Sequence, residues 1–252
     1  NCGGAVVFAS GYGEVGPEGR ERQRELVEAA DRLGIAVMGP NCAGFANFVD
    51  GIFAFAFLVE ERERGGNIGM ISQSGQIVLG GLDSPNMGFS HVISSGNSCN
   101  VKVEDYLDFL VDDEDTKVVA AYMEGVTKPE KLVAAFQKAA LKKKPVVVLK
   151  TGRSAKSQEL AKSHTGSLSG ADKVLRAVFK RYGVVEAGDL EELMSLAAAF
   201  SWLEELPKGE RCVFMNVSGG EAGVMADLSE EYGIQLAEMQ QETKAYLKTL
   251  VP

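Results

Sequence analysis

Short runs of apolar, mostly β-branched residues alternate along this chain with longer stretches in which apolar residues recur every three or four positions. The first pattern is typical of buried β-strands and the second of amphipathic α-helices. Their alternation predicts βαβ units, in which helices cover both faces of a parallel sheet. The predicted fold class is therefore α/β, built from doubly wound parallel sheets.

The first part of the chain carries one predicted βαβ unit and then an irregular stretch. Its predicted elements are a buried strand, a helix and a second strand, over 4–10, 17–33 and 35–39. Between residues 41 and 64 the hydrophobic pattern loses its period, so we expect no regular structure there. The charged run that ends this stretch indicates a domain boundary, and residues 1–50 are assigned to a first domain.

The alternation restarts at Asn67 and predicts a four-strand doubly wound core. The predicted strands cover 68–71, 89–93, 117–123 and 145–149, with a short strand later at 184–185. The predicted helices start near 76 and cover 103–111, 129–141, 171–182 and 190–203. These elements define a second domain over 66–205, and a strand at 211–217 with a helix from near 220 opens a third unit over 206–252.

The composition of the chain argues against several classes of partner. With 252 residues and 45% hydrophobic content the chain can bury a large core, and its formal charge of −9 argues against nucleic acid as the main partner. No apolar run reaches the roughly 18 residues that would cross a bilayer, so no membrane partner is expected. The four cysteines are scattered without a C-x-x-C pair, which fits a reducing cytoplasm and predicts neither zinc site nor disulfide framework. The abrupt ends of the pattern suggest a fragment of a longer protein.

Residues 162–170 form a small-residue loop that is predicted to expose His164, one of two histidines in the chain. Imidazole is a nucleophile at neutral pH and can carry a transferable group. The neighbouring Thr165 and Gly166 supply hydroxyl and backbone donors for phosphate without blocking access, and no metal site is expected here. The alternative is a structural histidine, which is the more common role of a lone one.

Two strand-to-helix turns share small hydroxyl residues and glycines. The first contains Ser72, Gln73, Ser74 and Gly75, and the second contains Asn216, Ser218, Gly219 and Gly220. Each turn is predicted to present free N–H groups and the positive end of a helix dipole, about half a charge, to a phosphate. The alternative is ordinary helix capping, for which serine is common.

Glu124 follows the predicted strand 117–123, at the edge where ligands bind in open α/β sheets. A carboxylate there could accept a hydrogen bond from one imidazole nitrogen of His164 and leave the other free to attack phosphorus. The alternative is a solvated acid in a loop.

A dinucleotide-binding fingerprint is matched only superficially. Residues 11–16 fit G-x-G-x-x-G, but the next strand runs into Met38-Gly-Pro-Asn41 without the carboxylate that would hold a ribose. The chain also lacks a P-loop sequence. A plain nucleotide-binding α/β protein is therefore disfavoured.

Six short motifs follow one another along the chain: Gly39-Pro-Asn-Cys-Ala-Gly44, Ile71-Ser-Gln-Ser-Gly75, Ser95-Gly-Asn97, Tyr122-Met-Glu-Gly125, Ser163-His-Thr-Gly166 and Asn216-Val-Ser-Gly-Gly220. The same order occurs in the nucleoside-diphosphate-forming acyl-CoA synthetases, and the chain resembles this family over essentially its whole length. The family includes succinyl-CoA synthetase and ADP-forming acetyl-CoA synthetase. The resemblance implies the end of a Rossmann-like CoA-binding domain, then one flavodoxin-like ligase domain and the start of a second.

The resemblance also implies roles for matching positions. His164 matches the phosphohistidine, and Glu124 matches the carboxylate that hydrogen-bonds it. The two serine-glycine turns match the N-termini of two helices that clamp the phosphate. Pro40 and Asn41 would lie near the thiol end of CoA, and Ser95, Gly96 and Asn97 would line the pocket for the acid.

The implied reaction is an acid–thiol ligation that uses coenzyme A and ATP, releases ADP and phosphate, and proceeds through an acyl phosphate. Nucleotide and Mg²⁺ bind an ATP-grasp domain, which this sequence lacks, so a fused or separate ATP-grasp partner is expected, as is oligomerisation. In the second turn, Val217-Ser218 and Glu221-Ala222 stand where related sequences often carry Ala and a Gly-Pro pair. An acidic residue therefore lies close to the predicted phosphate site.

Two rival functions come from relatives of the same family. Some members have lost the histidine and act as CoA-sensing regulatory modules, whereas this chain retains His164. Others transfer carbamoyl groups and need not use CoA. Binding of CoA by the intact protein would separate a ligase from a carbamoyl-transferring relative.

Overall fold

Buried strands rich in Val, Ala and Ile build the centre of the fold. The structure, a computed structural model, describes residues 2–57, 66–85, 87–152, 172–205 and 207–250. The chain divides into two units, Asn1–Leu203 and Glu204–Pro252. The strands are β1 (Gly4–Val6), β2 (Ala36–Met38), β3 (Gly44–Asn47), β4 (Ile52–Phe55), β5 (Ile68–Ser72), β6 (Phe89–Ser94), β7 (Val118–Met123), β8 (Val146–Lys150), β9 (Val185–Ala187), β10 (Arg211–Cys212) and β11 (Gln235–Leu236).

The helices follow most of the strands, as the hydrophobic pattern predicts. They are α1 (Pro17–Leu33), α2 (Gly75–Leu82), α3 (Val103–Asp112), α4 (Pro129–Lys142), α5 (Asp172–Tyr182), α6 (Leu190–Trp202), α7 (Gly219–Glu231) and α8 (Gln241–Leu250), and a 3₁₀ turn covers Gly13–Val15. Within the described ranges, none of these helices has both the length and the apolar character that spanning a bilayer requires.

The main sheet of the first unit has seven described strands in the order β4-β3-β6-β5-β7-β8-β9. Its five parallel strands, β6-β5-β7-β8-β9, have the flavodoxin-like order, with β5 between the strands that follow it. The strand order reverses between β5 and β7, and ligands of such sheets bind outside the carboxyl ends of the strands at this point. The predicted α/β fold class is confirmed.

Side chains of β7 alternate between the two faces of the main sheet. Val119 and Met123 pack with α3, α4 and α5 on one face. Ala120 and Tyr122 pack with α2 and α6 on the other. Because helices cover both faces, the central strands are apolar at nearly every position, as the sequence pattern indicated.

The N-terminal strand differs from its prediction. The expected buried strand over 4–10 ends at Val6, and Gly4 and Ala5 are exposed. Within the described part of the chain β1 pairs only with β2, in a small parallel sheet. The buried members of the local apolar cluster are Ala30, Val37 and Cys99, of which Val37 lies on β2 and none lies on β1.

The stretch predicted to be irregular instead contributes two strands. β3 and β4 pair as an antiparallel hairpin, and β3 also pairs antiparallel with β6. The prediction of irregular structure over 41–64 is wrong for this part because each strand has four residues and little β-branched content. The domain limit predicted at residue 50 falls in the turn of this hairpin, so the sheet begins before residue 66.

The second unit contains a two-stranded parallel sheet of β10 and β11, with α7 and α8. The strand predicted over 211–217 ends at Cys212. The apolar residues that follow it, Val213 and Met215, are exposed, so they lack the burial that would extend a central strand.

Candidate active site

The turn between β5 and α2 lies at the switch point of the sheet. The Ser72 hydroxyl donates to the Ser74 carbonyl oxygen at 2.7 Å, and the Ser74 N–H donates back to Ser72 Oγ at 3.0 Å. Ser72 is fully buried, so its hydroxyl holds the turn. Ser74 is the N-cap of α2 but makes no capping hydrogen bond through its side chain. The first N–H groups of α2, beginning at Gly75, are thus left for an anion.

Gln73 joins this turn to the loop that follows β7. Its Oε1 accepts a hydrogen bond from the Glu124 N–H at 2.6 Å and another from the Gly125 N–H at 3.1 Å. Its own N–H donates to the Tyr122 carbonyl oxygen at 3.3 Å. These bonds fix the backbone of Glu124 beside the start of α2, so two predicted site residues from different strands come together.

The Glu124 carboxylate lies beside a tyrosine hydroxyl. Tyr122 Oη donates to Glu124 Oε1 at 3.4 Å and lies 3.2 Å from Thr151 Oγ1. Burial raises the pKa of Tyr122 and the adjacent Glu124 carboxylate adds to this effect, so the phenol stays a protonated donor at neutral pH. Lys150 Nζ donates to the Glu124 carbonyl oxygen at 2.8 Å, which brings a cation to the same loop.

The loop after β6 supports the β5–α2 turn from the other side. The N–H and the hydroxyl of Ser95 donate to the Ser72 carbonyl oxygen at 2.8 and 3.3 Å, and Ser95 is fully buried. Its hydroxyl is thus engaged within the protein. Gly96 has a φ of 55°, and a Cβ at this position would lie 2.4 Å from the carbonyl oxygens of Pro40 and Asn41. Only glycine fits this close crossing of two backbones.

The predicted CoA-binding turn contacts the predicted substrate loop. The Gly39–Pro40 peptide bond is cis, and Asn41 follows it with a φ of 55°. Pro40 is buried and its carbonyl oxygen accepts from the Asn97 N–H at 2.9 Å, whereas Asn41 is exposed. Asn41 Nδ2 donates to Asn97 Oδ1 at 3.3 Å. Of these two predicted CoA-site residues, Asn41 is the one whose side chain is exposed.

The second serine-glycine turn belongs to the second unit and begins α7. Ser218 is the N-cap, and its hydroxyl accepts from the Glu221 N–H at 3.5 Å. Asn216, Gly219 and Gly220 are exposed. Unlike Ser74, Ser218 uses its side chain as a cap, so one of the N-terminal donors of α7 already has a partner.

Three predicted residues lie outside the described ones. They are His164, Thr165 and Gly166, within the undescribed range 153–171. Within the described residues, no three His, Cys, Asp or Glu side chains form a group that could hold a metal ion.

The sequence analysis gives no individual role to Tyr122 or Thr151. A usable signal exists for Tyr122, because residues two apart on a strand share a face and Tyr122 precedes Glu124 by two positions. Lys150 and Thr151 follow the predicted strand 145–149, and the parallel pairing of β7 with β8 brings them beside Glu124.

Known proteins match both the sequence and the fold. The sequence profile of the succinyl-CoA ligase-like flavodoxin domain matches residues 65–200. The alpha subunit of ADP-forming acetate–CoA ligase II from Pyrococcus furiosus is 36% identical, over 99% of this chain and 54% of its own length. ADP-forming acetate–CoA ligase I from Archaeoglobus fulgidus is 38% identical, over 99% of this chain and 36% of its own length.

A solved structure agrees with these relatives. Acetyl-coenzyme A synthetase 1 of Candidatus Korarchaeum cryptofilum, in complex with phosphate and ADP, superposes with a TM-score of 0.84 at 31% identity. The match covers 99% of this chain and 53% of that one.

The parallel strands have the flavodoxin-like order, with the β5–α2 turn at the switch point, so this part of the chain is an α/β domain of the flavodoxin-like class. The chain belongs to the succinyl-CoA ligase-like family, as an alpha-type region of the nucleoside-diphosphate-forming acyl-CoA synthetases. It spans about half or less of the length of the curated relatives named above.

Proposed function

We propose that the protein containing this chain is an acid–thiol ligase, which converts a small carboxylic acid, CoA and ATP into acyl-CoA, ADP and phosphate. One observation carries the proposal: Gln73 ties Glu124 to the start of α2, a helix whose N-cap side chain leaves its first N–H groups unused. A fixed carboxylate beside an anion-binding helix end suits phosphoryl transfer to and from an imidazole.

The reaction divides into three transfers. An imidazole nitrogen of His164 attacks the γ-phosphorus of ATP, and ADP leaves. An oxygen of the carboxylate substrate then attacks the phosphorus of the phosphohistidine, the imidazole leaves, and an acyl phosphate forms. Finally the CoA sulfur attacks the acyl carbon and phosphate departs with the thiol proton, which completes the thioester.

The described residues supply positions for these steps. Glu124 would accept the N–H of one imidazole nitrogen, so that the other nitrogen carries the lone pair. The hydroxyl of Tyr122 donates to the same carboxylate and limits its rotation. The N–H groups at the start of α2, after Ser74, would bind the phosphoryl oxygens, and the turn at Ser218 would bind phosphate in the same way.

The remaining partners follow from the same proposal. Asn41 and Pro40 would form the turn near the CoA thiol, and the loop 95–97 would contact the acid. ATP, ADP and Mg²⁺ would bind an ATP-grasp domain or subunit. The expected assembly is thus an oligomer of alpha-type and nucleotide-binding parts.

An activity assay tests the proposal. The intact protein, with its nucleotide-binding part, is incubated with ATP, Mg²⁺, CoA and a panel of small acids that starts with acetate. We expect acyl-CoA and ADP in equal amounts. Glu124→Gln should lower turnover, whereas Glu114→Gln, an exposed acid before β7, should not.

Two results would redirect the proposal. Binding of CoA by a nucleotide-competent preparation that forms no thioester with any acid would favour a CoA-sensing regulatory module. Phosphoryl or carbamoyl transfer that proceeds without CoA binding would favour a carbamoyl-transferring relative.

A further inference from the structure

Glu14 joins the loop after β1 to the loop after β6. Its Oε1 accepts from the N–H groups of Gly11 and Tyr12, at 2.6 and 3.2 Å. Its Oε2 accepts from Asn97 Nδ2 at 2.5 Å. Both carboxylate oxygens therefore have donors, and none of the roles assigned above includes this residue.

Glu14 is ionised, as a side chain that only accepts hydrogen bonds should be. Partial burial acts to raise its pKa, but the hydrogen bonds from Asn97 and from the backbone N–H groups outweigh this, and the pKa lies below its usual value. Glu14 is thus ionised at neutral pH and accepts only. An ionised carboxylate with both oxygens engaged is unsuited to take a proton from a thiol, so its part is to orient other groups.

The orientation of the Asn97 amide is determined by this contact. Asn97 Nδ2 donates to two oxygens, Glu14 Oε2 at 2.5 Å and Gln23 Oε1 at 3.0 Å. Gln23 Oε1 is itself set as an acceptor, since it also takes the Gly13 N–H at 3.1 Å. The Asn97 Oδ1 atom must then face the other way, toward Asn41.

Asn41 is oriented in turn. Its Nδ2 donates to Asn97 Oδ1 at 3.3 Å, and its side chain is exposed. With the amide nitrogen held by Asn97, the Asn41 Oδ1 atom is presented as an acceptor. If Asn97 were reversed, its Nδ2 would oppose Asn41 Nδ2, and Asn41 would turn its donor outward instead.

We infer that Glu14 is a positioning residue that acts through Asn97 to present the Asn41 carbonyl oxygen to an amide N–H of the pantetheine arm of CoA. This inference rests on the proposed ligase function. CoA carries two such N–H donors between its pyrophosphate and its thiol, so an outward acceptor is the complementary group. These contacts run from Glu14, in the loop after β1, through Asn97 to Asn41, in the turn predicted to lie near the CoA thiol.

Swapping the donor and the acceptor between positions 14 and 97 tests this series of hydrogen bonds. In Glu14→Gln an amide nitrogen faces Asn97 Nδ2, and in Asn97→Asp a carboxylate faces the Glu14 carboxylate. In the double variant the new amide at position 14 can donate to one oxygen of the new carboxylate at position 97, while Asn41 donates to the other, although Gln23 Oε1 still faces the first oxygen. We expect each single variant to raise the KM for CoA about tenfold or more, and the double variant to recover part of this loss, with a KM below that of Asn97→Asp.

Kinetic measurements on the other steps distinguish a positioning role from a general loss of activity. In the intact ligase, the KM for ATP and the rate of phosphoenzyme formation from ATP should stay unchanged in all three variants, and the KM for the acid should stay unchanged in Glu14→Gln. Glu18→Gln, an exposed acid in the first turn of α1, should match wild type in every assay.

Three results would count against the inference. The first is a KM for CoA that does not change in the single variants, and the second is additive loss in the double variant. The third is an equal loss with every substrate. A wild-type protein that makes no acyl-CoA would instead overturn the proposed function, which is a distinguishable outcome.

Discussion

The side-chain oxygen of Gln73 accepts a hydrogen bond from the backbone N–H of Glu124 at 2.6 Å. It thereby joins the residue after β5 to the residue after β7, across the switch point of the sheet. The β5–α2 turn and the backbone of Glu124 are thus held together. Phosphoryl transfer depends on such fixed placement more than on covalent chemistry by the protein.

Removal of the Gln73 amide should slow phosphoryl transfer. In Gln73→Ala the N–H groups of Glu124 and Gly125 lose their acceptor, which costs about 1–3 kcal/mol for an unsatisfied buried donor. If that loss falls on the transition state, phosphoenzyme formation slows by about 5- to 150-fold. Rapid quench measurement with labelled ATP gives the rate. Gln76→Ala, an exposed residue in the first turn of α2, is the control, and equal rates in the two variants would refute the role.

Glu104 should be a major stabilising residue of the first unit. Its side chain is fully buried, and its Oε1 accepts from the N–H groups of Thr127 and Lys128 at 2.7 and 2.9 Å, just before α4. Glu104→Ala leaves both donors without a partner, so urea unfolding should show a loss of about 1–3 kcal/mol. Glu114→Ala, at an exposed acid, should change stability by less than about 0.5 kcal/mol. Similar midpoints for both variants would contradict this account.

Gly96→Ala should damage the site by steric overlap. The new Cβ would lie 2.4 Å from the carbonyl oxygens of Pro40 and Asn41, at a φ of 55°. Gly51 also has a positive φ, of 68°, but a Cβ there meets no atom within 4 Å. Gly51→Ala therefore measures the backbone cost alone, about 1 kcal/mol. Thermal unfolding and the KM for CoA should both change more in Gly96→Ala, and equal effects would show that the close crossing is unimportant.

Asp112 should stabilise the fold at mildly acidic and neutral pH and lose this effect in strong acid. Hydrogen bonds from Lys138, and then from Lys142, lower the pKa of Asp112 from 3.8 to about 2. A lowered pKa in the folded state means that the contribution is complete above 3.8 and is lost as pH falls through about 2. Asp112→Asn should thus be less stable than wild type near pH 5, with the gap narrowing toward low pH and in high salt. Urea unfolding across this range checks it, and a gap independent of pH would contradict it.

The hydrophobic pattern predicted the parallel core because strands such as β7 are apolar on both faces and are separated by amphipathic helices. The hairpin of β3 and β4 escaped prediction since both strands are short and join the main sheet through the pairing of β3 with β6, which is distant in sequence. Burial of β1 was mispredicted for a related reason, because an apolar run does not determine how many strands and helices will pack against it.

The candidate site was predictable where local sequence carries the signal. Glu124 follows β7 directly and Ser74 lies two residues after β5, and the ends of parallel strands meet at one edge. Glu14 and Glu104 carry no such signal. They act through hydrogen bonds to loops that are far from them in sequence, and only the tertiary fold brings these groups together.

Phosphoryl labelling of His164 tests the central claim most directly. The intact protein with its ATP-binding part is incubated with γ-labelled ATP and Mg²⁺, beside a His164→Asn variant. The account predicts a label that is acid-labile and base-stable, is absent from the variant, and is discharged by ADP. A nucleotide-binding preparation that acquires no such label, or a label that persists in His164→Asn, would contradict it.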